Sequence, residues 1–70
     1  MFYWFKRGAE SLRYEVREVS STRFELTILG PDGTERVESF GTADALHARQ
    51  LALERDLVEH GWIGPHGWNV

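Results

Sequence analysis

The chain has no cysteine among its 70 residues. That one absence removes disulfides, thiolate zinc sites, iron–sulfur ligation and thiol catalysis together. Positive charge is not in excess either: eight Lys and Arg stand against eleven Asp and Glu, a net charge of −3. No strong basic field draws such a chain toward nucleic acid or an anionic membrane. Long hydrophobic runs are missing. The apolar run Phe2 to Phe5 ends at once in Lys6 and Arg7, far short of a membrane span and without the basic-then-apolar order of a signal peptide. The expected location is therefore cytoplasmic. There is no repeat-length period. The echo of His60-Gly61-Trp62 in His66-Gly67-Trp68 is too brief to be a repeat unit.

What remains is the composition of a folded soluble domain: 41% hydrophobic, 13% aromatic and 27% charged residues. At this length there is room for one core only. A domain of this size hides about 60% of its unfolded surface and is marginal without a staple. Three Trp, two Tyr and four Phe partly compensate, since each aromatic buries a large area.

Period-two alternation dominates from Phe2 to Phe40 and reads as an antiparallel β-meander of three or four strands. Leu12, Tyr14 and Val16 fall on one face of a strand, with Arg13, Glu15 and Arg17 on the other. Phe24, Leu26 and Ile28 repeat the pattern against Arg23, Glu25 and Thr27. Ser20-Ser21-Thr22 is short enough for a hairpin loop. Gly30-Pro31-Asp32-Gly33 carries the strongest turn signal, because proline presets the first turn dihedral and glycine accepts the positive φ that closes it. Val37 and Phe40, spaced by three, suggest a bulge or an early strand end between Thr34 and Phe40. Phe2 to Lys6 reads as a first strand that turns back through Gly8-Ala9-Glu10-Ser11.

From Thr42 to His60 the period becomes helical. Thr42 stands as N-cap, with Asp44 placed against the positive end of the macrodipole. Leu46, Leu53 and Leu57 form one apolar stripe, joined by Ala43 and Gln50. Gly61 lies where a left-handed C-terminal cap falls, and Trp62 where it packs back on Leu57. The fold class expected is α+β: the meander with one C-terminal helix packed on one face, in two layers. Residues 1–61 make this domain, and 62–70 are expected to be an irregular Gly/Pro/Trp-containing tail packed on it.

A two-layer fold covers only one face of its sheet, yet Phe2 and Trp4 alternate with Tyr3 and Phe5. Leu51 and Val58 lie roughly 130° from the leucine stripe at about 100° per residue. Surplus apolar surface of this kind marks an interaction site. The expected interaction surface is Phe2, Tyr3, Trp4 and Phe5, with Leu51, Val58, Trp62 and Trp68. The partner expected for it is a second copy, as a homodimer, or another protein.

Chemistry is sparse by comparison. None of the hydroxyls sits in a strand-turn-helix nucleophile elbow. The carboxylate groups Glu35/Glu38 and Glu54/Asp56/Glu59 are each accompanied by arginine, as exposed faces are. His47 and His60 are on different sides of the helix, and no histidine pair has the spacing of a metal motif. Gly30 to Gly33 is followed by a strand rather than a helix N-terminus, so it is not a phosphate loop. No enzyme, cofactor or metal is expected. The alternative to a protein-interaction module is single-stranded nucleic-acid binding, with sheet aromatics stacking on bases beside Lys6, Arg7, Arg13, Arg17 and Arg23. In architecture, a meander followed by one helix is similar to the dimeric single-stranded-DNA-binding coactivators. Charge opposes that alternative: residues 1–41 hold six Lys and Arg but seven Asp and Glu, and cross-strand pairing would neutralise the arginines.

Overall fold

The computed structural model describes residues 2–68. Six elements follow one another: β1 (Phe2–Arg7), β2 (Glu10–Ser20), β3 (Arg23–Leu29), β4 (Glu35–Phe40), α1 (Ala43–Glu59) and β5 (Ile63–Trp68). The strands form one antiparallel sheet in the order β4-β3-β2-β1-β5, so the meander holds and a fifth strand extends it. Ile63–Trp68 of the expected tail is thus a strand along β1, not an irregular segment. Glycine and proline depress its local strand propensity, and it is the free edge of β1 that orders it.

Local chemistry explains the connections. β1 returns into β2 through the two residues Gly8 and Ala9, with Gly8 at φ 60°, as a type II′ hairpin turn needs at its first central position. At the third connection the Gly33 amide donates to the Gly30 carbonyl at 3.1 Å and the Gly30 amide to the Thr34 carbonyl at 2.8 Å. Asp32 Oδ1 accepts from the Thr34 amide at 3.0 Å, and hydrogen bonding from the Thr34 side chain first, and then from this amide, holds the carboxyl below its usual range. No bulge interrupts the following strand: pairing runs unbroken from Leu29 with Glu35 to Phe24 with Phe40. A spacing of three simply puts Val37 and Phe40 on opposite faces.

α1 starts where Thr42 Oγ1 accepts from the Ala45 amide at 3.1 Å. It ends in a Schellman motif: the Trp62 amide donates to the Leu57 carbonyl at 3.0 Å and the Gly61 amide to the Val58 carbonyl at 3.1 Å, with Gly61 at φ 86°. The helix lays Leu46, Leu53 and Leu57 on Phe5, Tyr14, Leu26 and Ile28, and Trp62 closes the same cluster. Side chains also fasten it. Arg49 grips Glu38 of β4 through Nε at 2.8 Å and Nη2 at 3.2 Å, which lowers the pKa of the carboxyl and raises that of the guanidinium. Arg7 donates to the His60 carbonyl at 3.1 Å, a cation at the helix C-terminus, with its guanidinium 4.5 Å from the centroid of Trp62.

Where β5 crosses β1 the backbones come close. A Cβ on Gly64 would stand 2.7 Å from Phe5 Cδ2 and 2.9 Å from the Trp4 carbonyl oxygen. Phe5 is fully buried, so it has little room to move aside. Gly64→Ala is predicted to cost about 1–3 kcal/mol, as overpacking does, lowering Tm by roughly 4–8 °C per kcal/mol in a domain of this size. A thermal melt read by circular dichroism checks this, and an unchanged Tm would refute the close approach.

Candidate functional site on the open sheet face

The side of the sheet away from α1 has no covering layer among the described residues. Cross-strand partners share a face, so the register defines what this side presents. One ladder runs across all five strands: His66, Trp4, Arg13, Leu29, Glu35. The next, one pleat along, runs Phe2, Glu15, Thr27, Val37. Phe2, Trp4 and Leu29 are half-buried, while Val37 is 52% exposed. A groove of about 710 Å³ lies between Trp4, Leu29 and Pro31, with Lys6 and Arg13 on its walls. Trp4 stacks on His66 with ring centroids 4.2 Å apart, and Lys6 Nζ is 5.8 Å from the Trp4 centroid. The Trp4 indole N–H is buried and donates to no group among the described residues.

The surface expected from sequence divides in two. Phe2 and Trp4 are on the open face. Tyr3 and Phe5 are not: Phe5 is in the core, and Tyr3 packs against Tyr14 at 5.0 Å between ring centroids. Trp62 is likewise buried as the hydrophobic contact of the helix cap. Phe5 and Trp62 are core residues, buried from any partner on the side of the sheet that the helix covers, and Tyr3 is partly buried against the same core. Leu51 and Val58 are 54% and 55% exposed on the outside of α1, away from the open face. Trp68 closes β5 opposite Phe2, and its side chain lies outside the described part of the structure. Leu29, Val37 and His66 escaped the sequence reading. Val37 was open to discovery, since a residue three before the core-facing Phe40 points outward in any regular strand.

The cations divide as well. Arg17 and Arg23 both pair with Glu25, at 3.2 and 3.3 Å. Arg7 pairs with Glu10 at 3.1 Å besides holding the helix end. Lys6 and Arg13 are left on the open face without an ion pair among the described residues, and so are Glu15 and Glu35. The interleaved pairing expected of Arg13 is absent, because Leu29 rather than an acid lies across from it on β3. Arg55 and Glu59, spaced by four on α1, form no ion pair with each other.

A second polar cluster lies under the helix. The Tyr14 hydroxyl donates to Glu54 Oε1 at 2.6 Å and accepts from Gln50 Nε2 at 3.4 Å. Burial first, and then the bond to Glu54, push the Tyr14 phenol well above its ordinary 10.0. A phenol held neutral in this way is a structural donor, not a base poised for catalysis. Among the described residues no three His, Asp or Glu side chains converge as a metal site would require. No helix among them is long and apolar enough to cross a membrane. The chain matches no family model, no curated protein and no solved structure.

Tyr14 links the fold to alkaline pH with a definite sign. Its pKa is higher folded than unfolded, so its contribution is complete below the unfolded value near 10.0 and is lost as pH rises toward the folded one. Tyr14→Phe is predicted to cost about 1 kcal/mol at neutral pH through the lost hydrogen bond. It is also predicted to flatten the fall in stability above about pH 10. Urea denaturation of both proteins across that range is the check. Parallel pH profiles would contradict the assignment.

Proposed function

We propose that the chain is a non-enzymatic interaction module that associates with a second copy of itself through the open face of its sheet. The observation that carries this reading is the uncovered pair of ladders, which keeps Phe2, Trp4, Leu29 and Val37 together on one surface. Each large apolar side chain taken fully out of water contributes roughly 1.5–3 kcal/mol. A small two-layer domain without disulfides gains most from that burial.

The sheet edges are poor alternatives. β4 carries Glu35, Arg36 and Glu38, and β5 carries Gly64, Pro65 and Gly67. Charge on one edge and a missing proline N–H on the other both discourage an added strand. Face packing is the remaining route for a sheet to meet a sheet. The reading places the module in the cytoplasm, where a cysteine-free chain loses nothing to the reducing environment.

A second reading has one observation in its favour: Trp4 sits between two cations, Lys6 and Arg13, that have no ion pair among the described residues, an arrangement suited to stacking a nucleic-acid base. Glu15 and Glu35 on the same ladders oppose it, since they would face phosphates.

Sedimentation velocity over a hundred-fold concentration range tests the proposal. The protein is expected to shift from monomer to dimer. Val37→Glu, at an exposed position that can fold with a charge, is predicted to hold it monomeric. Leu51→Glu, on the outside of α1, is predicted to leave the dimer intact. A wild-type monomer throughout, or loss of the dimer in Leu51→Glu alone, would overturn the proposal. Tryptophan quenching by an oligonucleotide, weakening with salt, would favour the second reading instead.

A further inference from the structure

We infer that the two copies meet about a two-fold axis that lies between the sheets, perpendicular to the strands, and passes between the Trp4 and Phe2 ladders. This rests on the self-association reading and adds the geometry that the charges select. A two-fold interface is self-complementary: what residue i meets on its partner must also meet i. Placing the axis between the ladders stacks each strand on its own copy and exchanges one ladder for the other. Trp4 then faces Phe2 of the second copy, Leu29 faces Thr27, and Arg13 faces Glu15. Neither charged group has an ion pair among the described residues, so each can find one across the interface.

Other axes fail on charge or on area. An axis along the Trp4 ladder sets Arg13 against Arg13. One parallel to the strands over β2 opposes Arg13 to Arg13 and Glu15 to Glu15. Like charges desolvated against each other are strongly unfavourable. An axis over β3 would pair Arg13 with Glu35, but it carries β1 past the partner's β4 and leaves Phe2 and Trp4 uncovered. A standard interface takes about 800 Å² from each partner, roughly a sixth of the 4805 Å² that one chain exposes. Only an arrangement with all five strands overlapped uses the whole open face for that purpose. Sheets packed face to face hold their strands within about 30° of alignment, within reach of an Arg–Glu pair near the axis.

The arrangement has a test that separates it from the reading beneath it. Arg13→Glu and Glu15→Arg are each predicted to weaken self-association at least ten-fold, because each homodimer then opposes like charges twice. An equimolar mixture of the two variants, one labelled with ¹⁵N, is predicted to form a heterodimer in native mass spectrometry with affinity near that of wild type. Both interfacial pairs are restored there, although neither chain carries both natural residues. Failure of the mixture to recover would overturn the ladder exchange, and so would single variants of undiminished affinity. In either case a dimer abolished by Val37→Glu would leave the open-face reading standing. A monomeric wild type whose oligonucleotide quenching is lost in Arg13→Glu would remove both and assign the face to nucleic acid. Circular dichroism melts of the two variants show whether the fold is retained.

Discussion

Everything in this molecule follows from the pleat of β1. Successive side chains of a strand point to opposite faces, so four consecutive aromatics cannot share one core. Tyr3 and Phe5 go under the helix, and Phe2 and Trp4 go to the other side. The described residues form one helix, and it covers one face. The uncovered aromatics are therefore a consequence of alternation, not an accident of packing, and any account of function has to say what meets them.

The covered side is closed with care at both ends of the helix. Glu38 and Arg49 fix its first half to β4, while the Schellman turn, Trp62 and Arg7 fix its end beside β1. Between them Tyr14 reaches Glu54 through the core. These fastenings put the chain directly into β5, whose pairing with β1 widens the open face to five strands and brings His66 against Trp4. Closing one face and enlarging the other are thus the same structural event.

The sequence was legible wherever a local rule decided the outcome. The Leu12/Tyr14/Val16 and Phe24/Leu26/Ile28 alternations, the leucine stripe, the Thr42 cap, the Gly61-Trp62 ending and the Gly30–Gly33 turn are all local, and all are present in the fold. β5 was hidden because Gly64, Pro65 and Gly67 speak against a strand, and only the unpaired edge of β1 makes one. Phe5 was misassigned to the surface because alternation separates two faces without saying which one the helix takes. Arg7 reads as a surface cation in sequence, and its role at the helix end depends on contacts more than fifty residues away. Leu29, Val37 and His66 became part of the candidate site through cross-strand register alone.

The central claim is that the open face of one chain is covered by the same face of another. Isotope-filtered NMR on a mixture of labelled and unlabelled protein tests it most directly, because only contacts between chains survive the filter. The account predicts intermolecular cross-peaks between Trp4 and Phe2 and between Leu29 and Thr27. Cross-peaks confined to Leu51 and Val58, or none at concentrations where the protein is fully associated, would contradict it.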